Sequence, residues 1–444
     1  MFAENKARSS VCKLESEAKM ISKNLPGLLV VFLSVSNCLA QDNWPRFRGL
    51  GGHGIAGAAP TSWSDIDNIA WKLPMPGPGD SSPIVWRDRV YITCYSGYGL
   101  TADDPGDPAD LARHLICIHR DNGKVIWRVE QPIGDAPMVP YSGYMPSHGY
   151  ATSTPVADES GVYVAFDTSG LFAFTHDGQQ RWRADVGQRT HGWGVASSPI
   201  LYDDLVIYHA DMEAKQLLAF KKATGEEVYR VKTPGQDSWS TPLVSTSGTR
   251  HELIFHRNGG PSTLVAADPK TGELYWQCSL EGGYLCPSPI EADGTLFVIN
   301  REGAAAIRSG GGGKLTDSHV RWSLKTGSQI CSPIYHQGHL YYSENDGTIL
   351  CLNADTGENV FRERLNRRSR SIYASAVMAG ENLHFVTRRH GVFVVAAKPS
   401  FELVAHNQFE SDDSTFNGTP AVANGQIYIR SNKFLYCIGT THRG

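Results

Sequence analysis

The residues best suited to gripping a ligand stand just ahead of a recurring Ser-Pro or Thr-Pro pair. Arg189, His191 and Trp193 precede Ser198-Pro199, Asp237 and Trp239 precede Thr241-Pro242, and Glu281 and Tyr284 precede Ser288-Pro289. Gln329 precedes Ser332-Pro333, while Arg367, Arg368, Arg370 and Tyr373 lead to Ser375-Ala376, and Asp412, Asp413 and Phe416 to Thr419-Pro420. Tyr144 and His148 lie ahead of Thr154-Pro155. Rings and guanidinium forks converging on a cavity mouth stack on planar groups and clasp anions. The same residue types also make hot spots in protein interfaces. Arg367, Arg368 and Arg370 form the densest basic cluster after residue 40 and suit an anion or an acidic partner.

Other candidate motifs fail on mechanics. In His251-Glu252-Leu253-Ile254-Phe255-His256 the histidines are five apart on an expected strand, which points them to opposite faces; a zinc-protease site needs four on a helix. The run Gly310-Gly311-Gly312-Gly313-Lys314-Leu315 lacks the Ser or Thr of a phosphate loop and reads as a mobile turn on the face opposite the ligand-gripping residues. No Gly-x-Ser-x-Gly elbow occurs. No catalytic residue and no metal ligand is assigned.

With 41% apolar and 19% charged residues in 444, the composition is that of a globular chain. A net charge of -4 gives no broad basic field, so neither nucleic acid nor an anionic membrane surface is expected as a partner. Residues 1–40 stand apart. Lys23, the apolar run over 25–35 and the small-residue end at Ala40 read as an export leader, with residues 1–19 an upstream extension and Gln41 the mature start. The run is too short to span a bilayer, which takes roughly 20 residues. A periplasmic or secreted protein follows, with a lipid anchor on Cys38 as the less favoured route. Seven cysteines remain, an odd and scattered set that is no disulfide framework. Cys117, Cys351 and Cys437 share one repeat position with Ala173, Ala219 and Ala266 and read as small buried residues, while Cys286 and Cys331 leave a bond open.

The elements that position these residues come from an internal repeat. The second residues of the eight pairs, beginning at Ser82-Pro83, are 72, 44, 43, 47, 44, 43 and 44 apart. Each unit continues with a short apolar strand, a polar turn such as Asp203-Asp204 or Gln337-Gly338, two strands rich in aromatic and β-branched residues, a Gly-bearing turn and a closing strand with a large aromatic. Four short antiparallel strands at a period of about 44 residues are a propeller blade. Proline is tolerated at the first residue of a strand, and the head therefore marks the return to the innermost strand. The last unit has three strands, and residues 69–73 around Trp71 are expected to supply its fourth. The expectation is an all-β fold: an eight-bladed β-propeller of four-stranded antiparallel blades over 68–440, closed by an N-terminal strand completing the last blade. Residues 41–67 pack on it and 441–444 form a tail. Blade one is extended at 96–113 and 131–149, both on the face that carries the return loops.

Ala266-Ala267-Asp268-Pro269-Lys270-Thr271-Gly272-Glu273-Leu274-Tyr275-Trp276 resembles the tryptophan-docking repeat of pyrroloquinoline quinone (PQQ) type propellers, and Asn43-Trp44-Pro45-Arg46-Phe47-Arg48-Gly49 is similar to the mature N-terminus of bacterial PQQ-binding-like repeat proteins. That resemblance implies a docking role between neighbouring blades for Trp71, Trp127, Trp182, Tyr229, Trp276, Trp322 and Phe361. It also implies two kinds of relative, calcium- and quinone-dependent alcohol dehydrogenases and a scaffold of the outer-membrane assembly machinery. No Cys-Cys pair resembling that of the quinone dehydrogenases occurs. The expectation is a non-catalytic monomer without cofactor that binds a small ligand or an envelope protein through the inserted face. The alternative is a PQQ- and calcium-dependent alcohol or sugar dehydrogenase. The candidate face comprises Tyr144, His148, Arg189, His191, Trp193, Asp237, Trp239, Tyr284, Arg367, Arg368, Arg370, Tyr373 and Phe416.

Overall fold

The computed structural model describes residues 42–440 apart from 236, 259–261, 281–282, 284–285, 316–317 and 366–370. Blade three shows how the sequence builds a unit. Its inner strand Ile200–Tyr202 is short because it lies near the axis, and the two middle strands, Leu205–Ala210 and Gln216–Lys221, are buried apart from the half-buried ends Gln216 and Lys221 because a neighbouring blade covers each face. The outer strand Glu227–Lys232 alternates exposed with half-buried residues, as a strand at the rim must. Between the first two strands, Asp203 takes φ 48, and at the same place in blade six Gln337 and Gly338 take φ 46 and 77. Left-handed turns of this kind match the twist of the strands they join.

The described residues form eight such sheets around one axis. In the eighth, Ala421–Ala423, Gln426–Arg430 and Phe434–Ile438 come from the end of the chain, and Ile69–Pro74 adds the outer strand, with Trp71 opposite Cys437. Both ends of the propeller thus meet in one sheet, which closes the ring and leaves only the short outer strand of each blade as an edge.

All eight blades carry a register shift at one place, between the third and fourth strands, as at Ala219/Phe220 and Cys351/Leu352. A bulge bends the outer strand and re-aims a side chain. In seven blades that side chain is the docking aromatic, opposite Cys117, Ala173, Ala219, Ala266, Ala306, Cys351 or Cys437, all fully buried, while blade seven has Ala405 there.

Trp71, Trp127, Trp182 and Trp322 each donate Nε1–H to a turn carbonyl of the next blade: Arg120, His176, Lys222 and Ala354, at 2.7–2.9 Å. Tyr229 donates its hydroxyl to Pro269 O. The ring lies over the glycine of that turn. A Cβ on Gly225 would come within 2.7 Å of Trp182, and one on Gly123 within 2.7 Å of Trp71. Phe361, without a polar tip, packs edge-on to Phe401 of blade seven.

Trp276 departs from this scheme and donates to Glu252 of its own blade at 2.9 Å. Blade five has no Thr-Gly turn for it to reach. The glycine run occupies that place, and instead of remaining a turn it forms the strand Gly313–Leu315, parallel to Leu274–Leu280, with Gly313 opposite Trp276. The strand Glu252–Asn258 separates His251 from His256 as expected: His256 is fully buried and His251 exposed.

Residues 42–56 cross the ring at the end away from the return loops, and the chain then climbs to the return loop after blade seven, where Asp65 accepts from Ser411 N–H at 2.7 Å. Trp44 bridges Val85 of blade one, Pro45 O accepts from Ala157 of blade two, Arg46 reaches Pro242 O of blade four, and Ile55–Ala56 runs parallel to Val377–Ala379 of blade seven. No described helix is long and apolar enough to cross a membrane.

Candidate functional site

From Ser82 round to Thr419, the backbone N–H at the head of one inner strand donates to the hydroxyl of the next head, seven bonds linking the eight heads. Ser82 N–H bonds Thr154 Oγ1, Thr154 bonds Ser198, Ser198 bonds Thr241, and the series continues through Ser288, Ser332 and Ser375 to Thr419, at 2.9–3.0 Å throughout. This ring of hydroxyls surrounds the axis and lines a cavity of about 430 Å³. Phe47, from the segment beneath, also lines it.

Strand alternation places the residue two before each head on the same inward side. Those eight positions are Asp80, Thr152, Ala196, Trp239, Cys286, Ile330, Tyr373 and Asn417, and every one lines the cavity. The lower ring is uniform in chemistry and the upper ring is varied.

The blade-one insertion lies across the mouth. Asn417 donates Nδ2–H to Asp80 at 2.9 Å and to Ser147 O at 2.9 Å, and Arg388 donates to Asn417 Oδ1 at 2.8 Å and to Ser147 O at 3.0 Å. On the other side Tyr144, 57% exposed, meets Trp193 with ring centroids 4.5 Å apart, and Trp193 lies 6.0 Å from Trp239. Tyr373 is backed by the Arg388 guanidinium at 4.3 Å. The rim is therefore an aromatic platform on one side and an amide and carboxyl cluster on the other.

Among the described residues the lining carries the carboxyl of Asp80 and the bases His148 and Arg301. Burial pushes the Asp80 carboxyl up to about 7, against the opposing pull of Arg430, Asn417 and Arg388. Burial, with Arg388 nearby, holds the His148 imidazole down at about 4 and therefore neutral, and His148 Nε2 has no hydrogen-bond partner. Asp80, Ser147 and His148 also border a second cavity of about 280 Å³ that reaches Ser414, Asn432 and Lys433.

Of the residues singled out from sequence, Tyr144, His148, Trp193, Trp239, Gln329 and Tyr373 line the main cavity. His191 and Asp237 lie beside it, 3.3 Å apart, with the His191 ring edge-on to Trp239. Asp237 also pairs with Lys215 and, at 4.0 Å, with Arg189. Phe416 does not reach the cavity: it is 4% exposed and stacks on Phe409 at 5.2 Å in the core of blade eight. Tyr284, Arg367, Arg368 and Arg370 fall outside the described residues. Sequence reasoning missed Asp80, Asn417, Arg301, Asn345 and Cys286, all in the lining. Counting back two from each Ser or Thr head would have found three of them. Cys286 and Cys331 are both free thiols, pushed up to about 12 and about 11 by burial.

The alternative reading calls for PQQ with a Ca²⁺ ion, and the described lining does not fit that pair. Ca²⁺ takes six to eight oxygen ligands with several carboxylates among them. Among the described residues Asp80 is the one carboxylate in the lining, and no three His, Cys, Asp or Glu side chains are grouped to hold a metal ion. Arg301 is the one guanidinium among the described lining residues to meet the cofactor's carboxylates.

A family model described as outer membrane protein assembly factor BamB, PQQ_2, matches residues 112–363 and 262–444. The tetrathionate hydrolase of Acidithiobacillus ferrooxidans is 22% identical over 311 residues, which cover 64% of this chain and 58% of that protein. The chain thus matches little more than half of that relative's length. Among solved structures, BamB from Moraxella catarrhalis superposes with a TM-score of 0.58 at 13% identity, covering 85% of this chain and 98% of that one. Quinohemoprotein alcohol dehydrogenase from Comamonas testosteroni gives 0.65 at 10% identity, covering 91% and 82%. Identities this low speak for a shared fold.

Proposed function

Because the chain belongs to the PQQ_2 family of propellers, we propose that its work is recognition: an exported, non-catalytic binding propeller of the cell envelope that takes a polar ligand with a flat face into the cavity beneath the blade-one insertion. The observation that supports this reading is the make-up of the upper ring and rim. Tyr144, Trp193, Trp239 and Tyr373 offer faces for stacking, and Asn417, Asn345, Asp80 and Arg301 offer polar edges.

Trp193 and Trp239 make the test direct, because their fluorescence reports on the cavity. Neutral monosaccharides, disaccharides and nucleosides are titrated beside PQQ with Ca²⁺. The expected result is saturable quenching by a neutral ring compound that is lost in Trp239→Ala. Saturable PQQ binding with dye-linked oxidation of an alcohol would overturn the reading.

A hydrolytic second reading rests on Asp80, the carboxyl in the lining whose pKa near 7 suits proton transfer. Consumption of tetrathionate by the purified chain, abolished in Asp80→Asn, decides for it.

A further inference from the structure

The segment that closes the channel carries hydrogen-bond donors without acceptors. Arg46 spends Nη2 on Pro242 O at 3.1 Å, and Arg48 spends Nη2 on His53 O at 3.1 Å and on Pro333 O. Arg46 Nε, Arg48 Nε, Arg48 Nη1 and Trp44 Nε1 are buried with no partner. Arg48 is fully buried, and neither guanidinium has an ion-pair partner among the described residues, although many surface arginines do. The groups also oppose one another: burial and the neighbouring charge hold Arg48 down at about 9, burial holds Arg46 at about 10, and burial together with both arginines holds His53 at about 4. Cys331, beside Arg48, stays a neutral thiol and supplies no negative charge.

An uncompensated buried charge is among the most costly features a fold can carry, and buried polar groups in native proteins are nearly always satisfied. Backbone carbonyls answer one nitrogen of each guanidinium and leave the charge itself unanswered. Every orphan here is a donor, so the missing partner is an acceptor. Water would satisfy the N–H groups and leave both positive charges uncompensated; an anion does both tasks. Glycines at 52 and 54 leave room against these side chains: a Cβ would come within 3.2 Å of Arg46 Nη2 at Gly52 and 2.9 Å of Arg48 Nη2 at Gly54.

We propose that the closed end of the channel is a binding site for a small inorganic anion, chloride or an oxyanion of sulfate size, held by Arg46 and Arg48. The anion clips residues 42–54 under the ring and so fixes the floor that Phe47 presents to the cavity above. The site is independent of what the cavity itself binds.

The test is thermal unfolding of the purified chain at constant ionic strength, with gluconate replaced stepwise by chloride, and separately by sulfate. A specific site raises Tm by roughly 1–2 °C for each tenfold increase in anion above its Kd. Arg46→Gln, at a side chain that is only half-buried, is expected to fold and to lose that slope. Equal slopes in Arg46→Gln and the parent, or no dependence on either anion, overturn the proposal. Should Arg46→Gln unfold, bromide anomalous scattering on crystals of the parent decides: a peak within hydrogen-bond reach of both guanidinium groups supports the site, and none at about 0.5 M bromide rejects it.

Discussion

Two kinds of residue bear the heaviest constraints, and each can be tested singly. Gly225 has φ 74 and lies under the Trp182 ring, whereas Gly338 has φ 77 with nothing within 4 Å. Alanine at Gly338 is charged only the left-handed backbone cost of about 1–2 kcal/mol. Alanine at Gly225 carries the same cost plus overpacking of about 1–3 kcal/mol. Urea unfolding should therefore separate Gly225→Ala from Gly338→Ala by about 1–3 kcal/mol, and equal losses would show that the ring-over-glycine contact gives way freely. Asp80 is constrained electrostatically. Its folded pKa of about 7 lies above the ordinary carboxyl value, so the folded state keeps a proton that the unfolded chain releases. Stability contributed by that proton is present below about pH 4 and lost as pH rises to about 7. Asp80→Asn, with no proton to lose, should gain on the parent by about 2–4 kcal/mol between pH 4.5 and pH 8. Glu213, raised to about 8 by burial, slopes the same way, so the variant's own stability still declines over that range. Tm measured at the two pH values checks both the sign and the residual slope.

At the scale of the element, the repeated head owes more to its hydroxyl than to its proline. Blade seven begins Ser375-Ala376 and still takes its place in the ring, accepting from Ser332 and donating to Thr419. Ser198→Ala leaves the buried Thr154 N–H without an acceptor, at a cost of about 1–3 kcal/mol, while Pro199→Ala should stay below about 1 kcal/mol. Chemical denaturation of the two variants distinguishes them; a larger loss from the proline would reverse the assignment. The strand heads, the docking aromatics and the closing strand at Trp71 were legible in the sequence because each recurs at a fixed place and its physical task is local. What escaped detection depends on a partner distant in the chain. Gly313–Leu315 pairs with a strand more than thirty residues earlier, and Trp276 consequently turns to Glu252. Asp80 and Asn417 meet only because the ring closes. Phe416 reads from sequence as a rim aromatic because its loop is on the right face, but the side chain packs inward against Phe409.

For the whole molecule, the N-terminal segment performs two separable tasks: residues 42–56 floor the channel and Ile69–Pro74 completes blade eight. Removing the first leaves the ring intact, with Trp71 still donating to Arg120 O and the closing strand still paired with Phe434–Ile438. Removing both uncovers the ladder edge of Phe434–Ile438, in which Leu435, Tyr436, Cys437 and Ile438 are at most 1% exposed. An apolar strand edge of this kind is a template for pairing with other chains. A chain starting at residue 62 is thus expected to keep the oligomeric state of the parent, with a lower Tm and no anion dependence. A chain starting at residue 75 should form larger species by light scattering and lose amide protection over 434–438. If the shorter chain keeps both its size and that protection, the closing strand is dispensable and the ring holds itself together through the hydroxyl ladder and the docking tryptophans alone.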